Sequence, residues 1–226
     1  MEASVVDEPL RLEEVLGEIV YGSEGISVSE VRFRLPGSVL QGEISAGPSE
    51  PDGPWSLAAT LRTEGDGDLG DLKLLDNRIP PGSFRGAARI SIAGSTEVVL
   101  SEVGIDLEAS SLTVTGRVVL GEQLSFDSLD VTASPLALDR LEPWIGRELP
   151  FAGWLSGEAR LSGTLTDVVT SGRITLVPIG YRGAPTTADF SGILHGGGNP
   201  GATSFQARLE PLNYQLLNAV APDMPL

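Results

Sequence analysis

Apolar and polar residues alternate with a period of two along most of this chain, which is the spacing of side chains on opposite faces of a β-strand. Val31-Arg32-Phe33-Arg34-Leu35 places three apolar groups on one side and both arginines on the other. Leu112-Thr113-Val114-Thr115-Gly116 repeats the pattern, and 154–165 keeps Leu155, Ala159, Leu161 and Leu165 in one phase with Gly157 and Gly163. One apolar and one wet face is the habit of antiparallel sheets, since strands buried on both faces read as solid apolar runs. A smaller motif, glycine followed by aliphatic residues two and four positions on, starts at Gly42, Gly86, Gly116, Gly157 and Gly172. A mid-strand glycine packs nothing and costs backbone entropy. Its recurrence on the apolar face therefore points to bends that curl a long sheet, or to clearance for something lying on it.

Helical spacing is sparse. Pro9–Val20, Leu136–Gly146 and Leu212–Val220 each carry apolar residues at helix-like intervals, and all three predict short helices. Two of them open what reads as a repeated block. Pro135-Leu136-Ala137-Leu138 has a counterpart 76 residues later in Pro211-Leu212-Asn213-Tyr214, and Gly86 precedes Gly157 by 71. The predicted fold is all-β: an elongated, curled, mainly antiparallel sheet of repeated glycine-punctuated strands, groove-like, with a few short helices. The chain reads as one continuous fragment of a longer repeat protein, with units at 1–71, 72–135 and 136–210 and a truncated unit at 211–226.

Composition narrows the class. Gly 28 and Pro 16 suit many short strands with tight turns, while aromatics at 5% leave an interior of Leu, Val, Ile and Ala. A net charge of −16 disfavours nucleic acid, whose phosphates need Lys and Arg to displace counterions. It disfavours attraction to anionic headgroups as well. No cysteine is present, which fits either a reducing compartment or an envelope protein without disulfides. No apolar run reaches the roughly 18 residues of a membrane helix.

Catalytic motifs are not apparent. The sole histidine, His195, lies in a glycine-rich stretch predicted as an exposed loop, with no second histidine or cysteine to complete a zinc site and no Gly-x-Ser-x-Gly elbow. Gly65-Asp66-Gly67-Asp68-Leu69-Gly70-Asp71 clusters carboxylates but lacks the spacing and closing Glu of a calcium loop, so it predicts a turn. The sequence therefore predicts a non-enzymatic protein with no cofactor and no metal.

Residues 153–165, followed by Ser171-Gly172-Arg173-Ile174-Thr175-Leu176, resemble the AsmA-like repeats of the TamB family. Leu138–Pro150 is similar to the leucine-rich lead-in of that family, and 25–33 to its opening strands. The likeness covers most of the chain and is closest over 136–177. It implies a periplasmic segment of a protein anchored in the inner membrane. Its apolar groove would carry phospholipid acyl chains between inner and outer membranes, and family members also aid outer-membrane protein assembly with an Omp85-class barrel. The residues reach a compatible reading alone: a sheet with one aliphatic face must pair with a second sheet, close on itself or hold apolar ligand. Alternation phase marks Val31, Phe33, Leu35, Ile90, Ile92, Leu112, Val114, Leu155, Leu161, Ile174 and Leu176 as representative groove positions. The competing readings are a non-conducting structural or assembly scaffold with a self-filled face, and a surface adhesin-like β repeat.

Overall fold

The structure is a computed structural model that describes residues 14–23, 25–48, 53–73, 79–93, 95–121, 123–140, 142, 148–164, 166–180, 183–196 and 201–213. It is almost entirely β. The strands are β1 (Glu14–Gly22), β2 (Gly25–Arg34), β3 (Val39–Pro48), β4 (Trp55–Thr63), β5 (Gly67–Asp68), β6 (Ser83–Ala93) and β7 (Ser95–Leu107). They continue as β8 (Ser110–Leu120), β9 (Leu124–Ala137), β10 (Gly153–Thr164), β11 (Asp167–Pro178), β12 (Thr186–His195) and β13 (Gly201–Glu210). All 13 belong to one open antiparallel sheet whose order follows the chain, with the two-residue β5 off the main path beside β6. This is the many-stranded architecture the alternation predicts.

Contacts divide the chain into two compact units, 1–107 with 114–124 and 108–113 with 125–226. In the first unit, β1 to β4, β6 and β7 are neighbours in that order, with Val28 opposite Ile44, Ile44 opposite Ala59, Ala59 opposite Ile90 and Ile90 opposite Val98. In the second, Ala133 faces Gly157, Gly157 faces Ile174, Ile174 faces Ala188 and Ala188 faces Leu209 across β9 to β13. Cross-strand pairing thus turns period-two alternation into apolar rows running across each unit.

The first predicted helix is corrected. Residues 14–20 of the first candidate lie in β1, because Val15, Ile19 and the following Tyr21 share a face with Phe33, Val28 and Ile26 of β2, and tertiary pairing outweighs the local helical spacing. Pro9–Glu13 lie outside the described residues. Of Leu136–Gly146, the first two residues end β9, Leu138–Arg140 form a 3-10 turn and Glu142 is helical, while 141 and 143–147 lie outside the described residues. Most of Leu212–Val220 lies outside the described residues.

A second 3-10 turn, Leu69–Leu72, follows β5. Each turn drives one leucine inward, Leu69 and Leu138, both at or below 5% exposure. Strand spacing is regular: β1, β6 and β10 begin at Glu14, Ser83 and Gly153, and β2, β7 and β11 at Gly25, Ser95 and Asp167. Each group of four long strands therefore occupies about 70 residues. Details recur at the same interval: Glu30 and Glu102 both adopt positive φ, Leu35 and Leu107 are both buried, and so are Ser38 and Ser110.

Candidate functional site

The apolar face comes from register. In β2, Ile26 and Val28 occupy even positions and Val31 and Phe33 odd ones, yet all four pair with apolar positions of β3: Ala46, Ile44, Gly42 and Leu40. A bulge at Ser29–Glu30 inserts the residue that shifts the phase, and Glu30 accommodates it at φ 51°. The same device acts in β7, where Val98 and Leu100 precede Glu102 (φ 51°) and Ile105 follows it. It acts again in β9 at Ser128 (φ 52°), between Phe126 and Leu129. The freed amides have partners: Glu102 N–H donates to Thr115 Oγ1 at 3.3 Å, and Ser128 N–H to Ser162 Oγ at 3.4 Å.

The representative groove positions fall as follows. In the first unit Val31 and Phe33 lie on β2, Leu35 just beyond it, Ile90 and Ile92 on β6 and Val114 on β8. In the second, Leu155 of β10 is directly opposite Leu176 of β11. Leu161 faces Leu129 and Thr170, and Ile174 faces Gly157 and Ala188. Leu112 belongs to the part of β8 that clusters with the second unit. Val31 and Leu35 are buried, at 1% and 7% exposure, whereas Ile92 is 40% exposed and the others are half-buried. Alternation alone missed the positions beyond each bulge, such as Ile26, Val28, Val98 and Leu100, because nothing in a Glu or Ser announces a positive φ.

Half-burial is the informative state. Within each unit the described strands lie side by side in the sheet. Most of the representative positions are neither fully buried nor fully exposed. A filled core would hold such residues near full burial.

The glycines of the apolar face serve the strands themselves. A Cβ on Gly42 would meet the Thr60 carbonyl oxygen at 1.8 Å, and one on Gly157, at φ +137°, would meet that of Arg173 at 2.2 Å. Close approach of the next strand, rather than ligand clearance, sets these two positions.

The opposite face is a charged mosaic. Arg160 and Asp130 pair at 2.7 Å, Arg173 and Asp189 at 3.4 Å, Arg32 and Glu64 at 2.9 Å and Arg34 and Glu14 at 3.5 Å, all with substantially exposed side chains. The hydrogen bond from Arg160 holds the Asp130 carboxyl below its ordinary range, and the same pairing raises the Arg160 guanidinium. Shallow hollows lie on this face: about 790 Å³ bordered by Arg32, Gln41, Glu43, Arg62 and Arg89, and about 400 Å³ bordered by Asp130, Glu158 and Arg160.

His195 ends β12 rather than lying in a loop. Its Nδ1 is 2.7 Å from Asp167 Oδ1 and its Nε2 is 2.5 Å from Thr203 Oγ1, so it ties β11, β12 and β13 together. The order carboxylate, imidazole, hydroxyl is that of a nucleophile triad. Here the imidazole and carboxylate are 34% and 62% exposed, so they lack the water-excluded setting that gives such groups catalytic force.

The acidic stretch 65–71 makes a clasp. Asp71 accepts from Gly37 N–H and, at 2.5 Å, from the Ser38 hydroxyl; Asp68 N–H donates to Ser38 Oγ, and Asp68 Oδ1 accepts from Gly70 N–H. Both carboxylates are committed to the turn. Among the described residues no cluster of His, Asp and Glu is arranged to hold a metal.

Comparison with protein families, with curated proteins and with solved structures finds no match.

Proposed function

We propose that the apolar faces carry phospholipid acyl chains, and that the chain is a periplasmic segment of an AsmA/TamB-like protein anchored in the inner membrane. In this role it moves phospholipid between inner and outer membranes and aids outer-membrane protein assembly beside an Omp85-class barrel. One observation carries the reading: bulge-corrected registers line up aliphatic rows across each unit and leave most of those side chains half-exposed.

An acyl chain in water exposes roughly 0.8 kcal/mol per CH₂, or about 12 kcal/mol for fifteen methylenes. A row of Leu, Ile, Val and Ala lowers that cost without directional contacts, which is what passage along a surface requires. The polar face, laced with exposed ion pairs, stays in water.

A scaffold with a self-filled face is the second reading. It is favoured by the burial of Val31, Leu129, Ala133 and Leu136, which leaves those parts of the rows inaccessible.

Lipid analysis separates the two. Purified protein extracted and analysed by mass spectrometry is expected to yield phospholipid, and Leu161→Arg is expected to lose it while keeping the far-ultraviolet β signature. Lipid-free wild-type protein would sink the transport reading, and collapse of the Leu161→Arg variant would favour the packed scaffold.

A further inference from the structure

The apolar face of the first unit has two unlike ends. At one, which we call the hairpin end, short connections join β1 to β2, β3 to β4, β6 to β7 and β8 to β9. There Ile26, Ala46, Leu57 and Ile92 form one row across β2, β3, β4 and β6, and Trp55 lies two residues outward from Leu57 on the same face. Ile26 and Ile92 are 37% and 40% exposed and Trp55 is 62% exposed. At the opposite end Leu35, Leu69 and Leu107 are buried. A β-carbon on Gly82 would meet Leu107 Cδ2 at 2.8 Å and Leu69 Cδ1 at 3.1 Å, so these two leucines close on one point. The clasp of Ser38 with Asp68 and Asp71 holds their turn in place. Both are strand ends, so position along a strand does not explain the contrast; the clasped leucines do. The second unit repeats the closed end, with Leu136, Leu138 and Thr186 buried.

Charge divides the same way. In sequence, the hairpin-end connections 23–24, 49–54, 94 and 121–123 contain Glu24, Glu50, Asp52 and Glu122 and no Lys or Arg. Segment 64–82, at the closed end, carries Lys73 and Arg78 among its carboxylates. An amphiphile on such a face has one way to lie. Burying a phosphate or an ammonium without partners is costly, so a headgroup stays where the row opens to water. The ten residues of β2 span roughly 33 Å. The tails of one leaflet occupy half of a bilayer's roughly 30 Å apolar core, so they fit between the two ends.

We infer that a phospholipid on the first unit lies with its headgroup at the hairpin end, beside Trp55 and Ile92, and its tails toward Leu35 and Leu107. We infer further that this end takes a zwitterionic headgroup bearing an ammonium in preference to an anionic one. Carboxylates attract the ammonium and repel net negative charge, and those connections hold no Lys or Arg to offset them. The inference rests on the lipid reading and adds orientation and headgroup class to it.

The test incubates the purified chain with vesicles of equal parts phosphatidylethanolamine and phosphatidylglycerol, re-isolates it and measures bound lipid by mass spectrometry. The amine lipid is expected in about threefold excess, the size that a few exposed charge contacts supply. Ser95→Lys combined with Gln123→Lys, both exposed at the hairpin end, is expected to abolish or reverse that preference with total lipid unchanged. Ala109→Lys, in the turn between β7 and β8 at the opposite end, should leave it intact. Orientation is read on wild-type protein, which needs no substitution. Phosphatidylethanolamine with a photoreactive headgroup should label near Trp55 or Ile92, and the same lipid photoreactive at its tail terminus should label near Leu35 or Leu107. Equal uptake of the two lipids, a preference the lysines leave unchanged, or headgroup labelling at the closed end would overturn the inference while lipid binding stands. No lipid in any sample would remove the lipid reading and this inference with it.

Discussion

At Gly157 the backbone is at φ +137° and a β-carbon would lie 2.2 Å from the Arg173 carbonyl oxygen. Gly157→Ala is therefore expected to lower stability by roughly 2–4 kcal/mol, through steric conflict and an unfavourable conformation together; chemical denaturation measures it. Glu102 presents the converse case. It holds φ 51° without being glycine, a conformation that costs an L-residue roughly 1–2 kcal/mol. Glu102→Gly should accordingly raise the denaturation midpoint, while Ser101→Gly beside it, in ordinary strand conformation, should lower it. Thr186 is 1% exposed and its Oγ1 has no hydrogen-bond partner among the described residues. Thr186→Val keeps the shape and removes the stranded hydroxyl, so a gain of about 1 kcal/mol is expected. None of these positions stands out in the sequence as a site of strain, because φ and burial are set by the neighbouring strand.

Among elements, the strands were the readable part. Val31-Arg32-Phe33 and 154–164 show their faces by alternation alone, since a half-exposed sheet demands a different residue on each side. β1 was misread as helix because a strand apolar on both faces loses the period-two signature and leaves Leu and Val at intervals a helix would also use. The 3-10 turns depend on polar clasps whose parts are distant in sequence. Ser38 Oγ receives Asp68 N–H at 2.9 Å, and Ser110 Oγ receives Ala137 N–H at 2.9 Å. Ser110→Ala would strand that amide and should cost about 1–3 kcal/mol, read from thermal unfolding. Surface pairs matter less. The lowered pKa of Asp130 means its contribution is present above the ordinary carboxylate range and is lost as pH falls through the lowered value. Because both side chains are substantially exposed and the pair is screened by salt, Asp130→Asn should leave the neutral-pH melting temperature nearly unchanged.

For the whole molecule, repetition and sidedness count most. Four-strand groups recurring about every 70 residues keep each apolar row supplied with aliphatic residues, and the bulges hold those rows in register where alternation alone would turn them over. The sequence pattern exposed the sidedness but not the bulges, so the eleven groove positions sample the rows without tracing them. Whether the aliphatic surface carries lipid is decided most directly by photocrosslinking in membrane-containing cells. A photoreactive residue would replace Leu161 on the apolar face or Arg160 beside it on the polar face. The lipid reading predicts a phospholipid-mass adduct at position 161 and none at 160. Equal labelling at both positions, or no lipid adduct at 161 in folded protein, would contradict it.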